Sequence, residues 1–188
     1  MFTLSRYKYK KEIELNKIDF TYLLQPPRKY TFEAPKIKEW TEKWCKGNVL
    51  NLFAGKTLLN VDEVRNDIDK NVRADYHVNG YDLVLEFIKR DRKFDTVVLD
   101  PPFSIRKSRE KYEGRWIGKL TKLKNLLPKI LTNNSRVITW GYSTVGMSKS
   151  RGFKKIAICL VCHSGDHNDS IGLVEQKIEE RTLFDVLK

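Results

Sequence analysis

The chain has 188 residues, 40% of them hydrophobic, which suits one folded domain with its own core and excludes a disordered or fibrous polypeptide. It carries 36 lysines and arginines against 24 aspartates and glutamates, a formal net charge of +12, and so strong a basic excess points to a polyanionic partner. There is no signal-peptide pattern and no apolar run long enough to span a bilayer, and three cysteines make no disulfide framework; the expectation is a cytoplasmic protein without membrane contact.

The first thirty residues read as an extension to a single domain covering 1–188. Within it Arg6, Lys8, Lys10 and Lys11 alternate with Tyr7 and Tyr9 and no acid intervenes. Such a segment either lies along phosphates with its rings free to stack, or is a solvated edge strand or frayed terminus. Gln25-Pro26-Pro27-Arg28 marks a turn. Pro35 is placed as the first residue of a helix reaching Cys45, with Ile37, Trp40 and Trp44 on one face. Gly47 ends it, and residues 48–53 form a buried strand.

Ala54-Gly55-Lys56-Thr57 follows, with side chains small enough at Ala54 and Gly55 for a ligand to approach the backbone. Gly55-Lys56-Thr57 matches the end of a phosphate-binding P-loop, but the first glycine of that motif is replaced by Leu50, which argues against an ATPase. A second strand over 63–66 ends at Asp67. A carboxylate at a strand end can accept hydrogen bonds from both hydroxyls of a ribose, and Asp69 is the alternative if the register differs by two. A weak third strand over 75–78 leads to Asn79, whose amide can both donate and accept, as an adenine edge requires. Residues 81–88 have helical spacing and cover the sheet.

The fourth strand, 94–99, ends in Val97-Val98-Leu99 and delivers Asp100-Pro101-Pro102-Phe103. This apolar end marks a buried parallel strand, and ligands of open α/β sheets bind off the carboxyl ends of such strands. The two prolines offer no N–H and hold the chain extended. A carboxylate, free carbonyls and an aromatic face remain, and these suit a planar amino group: oxygens accept its N–H bonds while a ring stacks on its face.

Residues 104–124 hold eight lysines and arginines against two glutamates, with Tyr112 and Trp116 interleaved. Because the segment leaves directly from Phe103, residues 104–118 are expected to be a substrate-facing loop using Arg106, Lys107, Arg109, Tyr112, Arg115 and Trp116. From Leu120 onward the stripe Leu120, Leu123, Leu127, Ile130 marks a structural helix. A fifth strand over 136–140, a sixth over 156–162 and an antiparallel seventh over 171–177 complete the pattern. Cys159-Leu160-Val161-Cys162-His163 matches a haem-attachment spacing, but in a strand the two cysteines point to opposite faces. No metal is expected, and His163 and His167 are assigned to holding their loop by hydrogen bonds.

In order, strand, small-residue loop, strand, acid, strand, amide, helix, strand and D-P-P-F resemble the class I S-adenosylmethionine-dependent methyltransferases that modify exocyclic amino groups. Residues 31–177 carry the resemblance. It implies an α/β three-layer Rossmann-like fold with a mostly parallel seven-stranded sheet, a C-terminal antiparallel hairpin and trimmed crossovers. Asn51, Phe53, Ala54 and Gly55 look like motif I beside the methionine part of the cofactor. Asp67 looks like the ribose ligand and Asn79 like the residue at the cofactor adenine. Phe32 falls in a segment similar to motif X. Asp100, Pro101, Pro102 and Phe103 look like motif IV and would carry catalysis.

The sequence departs from the family at motif I, which usually has a further glycine near Thr57 and an acid near Asn51. About ten residues separate the first two strands, barely enough for a parallel crossover, so a full helix is not expected there. The resemblance implies S-adenosylmethionine as cofactor and a nucleic-acid base as substrate, adenine N6 in DNA first. RNA adenine N6, guanine N2 and a catalytically inert nucleic-acid-binding subunit are the alternatives. Without room for a separate target-recognition domain, recognition falls to loops, to a partner protein, or to an RNA substrate.

Overall fold

The computed structural model describes residues 17–102, 120–165 and 167–178. Phe103, the basic loop 104–118 and the arm at 1–11 lie outside the described residues. Seven strands form one sheet: β1 (Asp19–Leu24), β2 (Val49–Asn51), β3 (Glu63–Arg65), β4 (Phe94–Leu99), β5 (Leu131–Gly141), β6 (Phe153–Cys162) and β7 (Ser170–Lys177). Their order across the sheet is β1-β6-β7-β5-β4-β2-β3. Only β7 runs against its neighbours, β5 and β6; all the other pairs are parallel.

Two strands differ from expectation. Residues 75–78 do not form a strand and contribute one isolated bridge, Asn66 to Tyr76. The reason is local: the Asp75 carboxylate accepts from the Arg65 N–H (2.8 Å), while the Asp75 and Tyr76 N–H groups both donate to the Arg65 carbonyl. The segment is therefore pinned to Arg65 and meets the sheet edge by the single parallel bridge at Tyr76. The seventh strand is β1, which pairs with β6 from Asp19↔Ala157 to Leu24↔Cys162. Phe20, Tyr22 and Leu24 alternate along it and are exposed, so the period-2 pattern of this edge strand has no buried face on that side.

Helices cover both sheet faces. On one side lies α1 (Pro35–Trp44), with proline in the first turn and Ile37, Trp40 and Thr41 buried. It packs on Val49, Val98, Ile138, Trp140, Ala157 and Val174. On the other side lie α2 (Gly80–Lys89) and α3 (Leu120–Leu126). Leu83, Val84 and Phe87 of α2 and Leu123 of α3 meet Leu50, Leu52, Val97, Leu99 and Val137. Val97, Val98 and Leu99 of β4 thus enter opposite cores in turn, which is why the end of the strand is apolar without alternation.

Trp40 and Trp140 meet edge to face at 5.4 Å between centroids, and their ring N–H groups donate to Thr21 Oγ1 and Thr41 Oγ1. Gly172 on β7 lies against both rings; a Cβ there would sit 2.7 Å from Trp140 and 2.9 Å from Trp40. Gly172→Ala is expected to destabilise the fold by about 1–3 kcal/mol through overpacking, read as a shifted urea midpoint. A midpoint within error of wild type would mean that the rings move aside at no cost.

The crossovers from β2 to β3 and from β5 to β6 contain no α-helix. Each is held by a buried charged side chain from a nearby strand. Arg65 donates from Nη2 to the carbonyls of Ala54 and Gly55, from Nη1 to that of Thr57, and from Nε to that of Arg73. Its charge is balanced by an ion pair with Glu63, also buried. Glu63 in turn accepts from the Leu59 N–H and from Asn51 Nδ2. In the other crossover the fully buried Glu175 accepts from the N–H groups of Met147 and Ser148, and Lys124 Nζ donates to the Val145 carbonyl. Burial lowers the pKa of the Lys124 ammonium, against an opposing pull from Glu175.

Candidate active site

The carboxyl ends of β2, β3 and β4 converge, and two cavities open there. The larger, about 170 Å³, is lined by Phe32, Phe53, Ala54, Gly55, Asp100, Pro101 and Pro102 among others. The smaller, about 40 Å³, is lined by Leu52, Phe53, Asn66, Asp67, Ile68, Val78, Asn79, Gly80, Asp100 and Pro102. Phe53, Asp100 and Pro102 belong to both, so the cavities meet at the tip of β4.

Asp100 is the first residue beyond β4, whose Val98 carbonyl accepts from the Leu52 N–H at 3.2 Å. This bond sets the small-residue loop beside the acid. Gly55 adopts φ +58°, a conformation that a side chain would strain. Its N–H donates to Asp67 Oδ2 at 2.9 Å, and Asp67 Oδ1 accepts from the Asp69 N–H at 2.9 Å. Asp67 is therefore buried and ties the loop after β2 to the end of β3. Each carboxylate oxygen has a second lone pair, so the group retains capacity to accept from a ligand. Asp69 is occupied with Asn71, accepting from both its backbone and side-chain nitrogens.

Asn79 is the N-cap of α2: its Oδ1 accepts from the Tyr81 N–H at 3.0 Å, leaving the amide nitrogen as the donor toward the smaller cavity. Asn51 is placed differently from the other motif I residues. Its fully buried side chain donates to Glu63 Oε2 at 2.9 Å and lines neither cavity.

Further residues line the larger cavity. Arg28, Lys29 and Tyr30 come from the turn after β1, Tyr142 follows β5, His163 follows β6 and Ser170 begins β7. His163 donates from Nδ1 to the Gln25 carbonyl (2.7 Å) and, in the neutral ring, accepts from Ser170 Oγ at Nε2 (2.8 Å). Both ring nitrogens are thus engaged in joining three strand ends. Cys159 is fully buried, and burial pushes its thiol up to about 12. Among the described residues no group of histidines, cysteines and acids is arranged to hold a metal. No described helix is long and apolar enough to cross a membrane.

No protein-family model matches the sequence, and no curated protein matches it either. Solved structures do. SMU.776, described as a methyltransferase and crystallised with SAH, aligns with a TM-score of 0.54 at 14% identity over 75% of this chain and 48% of its own. Precorrin-6y C5,15-methyltransferase from Geobacter metallireducens aligns at 0.51 and 10% identity, over 81% of this chain and 93% of its own. TrmN from Thermus thermophilus aligns at 0.50 and 12% identity, covering 77% of this chain and 49% of its own. The fold is that of the S-adenosylmethionine-dependent methyltransferases. This chain spans about half the length of SMU.776 and of TrmN.

Within the methyltransferase fold, the sequence candidates separate into groups. Phe32, Phe53, Ala54 and Gly55 line the larger cavity; Phe53, Asp67 and Asn79 line the smaller; Asp100 and Pro102 join the two, and Pro101 lines the larger. Phe103, Arg106, Lys107, Arg109, Tyr112, Arg115 and Trp116 lie outside the described residues. Arg65 supplies donors to the carbonyls of Ala54, Gly55 and Thr57 in the loop after β2.

Proposed function

We propose that the chain is an S-adenosylmethionine-dependent methyltransferase acting on the exocyclic amino group of a nucleic-acid base, adenine N6 in DNA being favoured. The observation that carries this reading is the position of Asp100-Pro101-Pro102 at the tip of β4, where a cavity containing Asp67 and Asn79 meets a larger one. The first suits a nucleoside: a carboxylate for a diol, an amide for a base edge, and the apolar Ile68 and Val78 flanking them. The second leaves room for a base beside the acid.

The cofactor, when bound, supplies an electrophilic methyl group. The lone pair of the target amine is delocalised into its ring. Accepting its hydrogens at the Asp100 carboxylate and the Pro101 carbonyl favours a pyramidal nitrogen and stabilises the charge that develops on it. Pro101 and Pro102 contribute main-chain carbonyls and no competing N–H. Positioning the two reactants accounts for much of the remaining acceleration. In a duplex the base must first leave the stack. The net charge of +12 supports a nucleic-acid substrate over a protein. Reading of the target sequence, by loops of this chain or by a partner subunit, belongs to the same proposal.

The test is incubation with methyl-labelled cofactor and separate DNA and RNA pools, followed by nucleoside digestion. Label in N6-methyl-2′-deoxyadenosine from DNA is expected. Label in RNA alone would move the substrate to RNA, and label in neither would favour a catalytically inert nucleic-acid-binding subunit.

Cofactor affinity is expected to depend on Asp67. Asp67→Ala removes the acceptor for a ribose and also releases the Gly55 N–H, so S-adenosylhomocysteine binding should weaken by about 1–3 kcal/mol. Calorimetry on the folded variant checks this. An unchanged dissociation constant would shift the ribose role to Asp69.

A further inference from the structure

We propose that Arg28, Lys29 and Lys56 form a phosphate-holding rim on the larger cavity, gripping the nucleic-acid backbone next to the target base. The inference rests on the nucleic-acid reading above and assigns a surface distinct from the 104–118 loop. The three residues reach the same cavity from two separate segments, the turn after β1 and the loop after β2, and all are exposed. Asp100 is the only acid among the described residues lining that cavity, against these three permanent cations.

Lys38, Arg65, Lys89, Arg90 and Lys93 each pair with an acid, whereas no described ion pair involves Arg28 or Lys56. A cleft lined by one sign of charge focuses its field and draws an anion inward.

The rim is also ordered. The Tyr30 ring has the Lys29 ammonium at 5.7 Å and the Lys56 ammonium at 5.8 Å from its centroid. It lies beside Gly55 as well, 3.7 Å from where a Cβ would be. One aromatic ring thus holds two lysines from different segments on the same edge of the site, reducing the side-chain entropy lost on binding an anion. The single carboxylate of an amino-acid group would need one of these cations. Three of them on the rim of a cleft with Asp100 in its wall fit a chain of phosphodiesters whose base points inward.

The experiment uses the full chain and fluorescein-labelled 20-mers: single-stranded DNA, single-stranded RNA and duplex DNA. Binding is followed by anisotropy from 50 to 300 mM salt, and S-adenosylhomocysteine affinity by calorimetry. For Arg28→Gln/Lys56→Gln, the slope of log K against log salt should fall by about 1.4–1.8, the value for two lost phosphate contacts, with affinity about tenfold or more weaker at moderate salt. Cofactor-product affinity should stay within about twofold of wild type, since both side chains are exposed on the rim and neither is among the residues assigned to the cofactor. A variant slope equal to that of wild type would overturn the rim and leave the methyltransferase reading standing. Loss of S-adenosylhomocysteine affinity with an unchanged slope would also overturn it, because the cations would then belong to the cofactor. If wild type binds none of the oligonucleotides in a salt-dependent way, the rim and the nucleic-acid substrate fall together.

Discussion

Asp100→Ala is expected to reduce single-turnover methyl transfer by about a hundredfold or more while leaving cofactor affinity nearly unchanged. Asp100 lines both cavities, so it stands where a nucleoside and a target base would face one another. Diol and base-edge recognition are assigned to Asp67 and Asn79, which leaves Asp100 the task of accepting hydrogens from the amine. That interaction grows as nitrogen gains positive charge, so its loss falls on the rate and not on ground-state binding. Asn in place of Asp keeps one acceptor but loses the charge, and should retain more activity than Ala. The measurement is single-turnover methylation at saturating cofactor, beside calorimetric titration of S-adenosylhomocysteine. Near wild-type transfer by Asp100→Ala would reduce the D-P-P turn to a structural role and end the proposed mechanism.

Much of the sheet was legible because its central strands are buried on both faces. β4 reads as Phe94–Leu99 in sequence and in structure, since Val97, Val98 and Leu99 enter two cores and leave no polar interruption. The antiparallel return of β7 and the lack of a helix between β2 and β3 were legible from turn residues and from chain length. β1 was missed. Its apolar residues Phe20, Tyr22 and Leu24 are exposed, and a short edge strand beside a basic terminus carries a weak pattern. The expected third strand failed because Asp75 found a closer partner in the Arg65 backbone, a competition that propensity does not register.

At the site, Asp100 and Asp67 were legible because strand ends in α/β sheets have a predictable use. Their neighbours from β1, β5 and β7 were not, because Tyr30, Tyr142 and Ser170 are brought to the cavity by sheet order alone. Asn51 shows the opposite limit. It occupies the expected position, yet its side chain turns to Glu63, itself held by Arg65, and this buried pair had no sequence signal of its own.

That pair leads to the largest expected loss of stability. Arg65→Met should destabilise the domain by about 3–5 kcal/mol, because it leaves the Glu63 carboxylate buried without its cation. The carbonyls of Ala54, Gly55 and Thr57 lose donors at the same time, in a crossover that has no helix to satisfy them, and so does that of Arg73 beyond β3. Lys at this position restores charge but not the fork, since one ammonium cannot reach carbonyls on several sides; it should recover only part of the loss. Glu63→Gln/Arg65→Met removes both charges and should cost less than the two single changes together, the sign of a coupled buried pair. Urea unfolding of the four proteins gives the cycle, and S-adenosylhomocysteine calorimetry reports the loop after β2. The Arg65 variants should lose cofactor affinity in step with stability, since Arg65 donates to the carbonyls of two cavity-lining loop residues, Ala54 and Gly55. A loss below about 1 kcal/mol for Arg65→Met, the range of a surface pair, would mean that packing alone holds this crossover and that the guanidinium does not stand in for the missing helix.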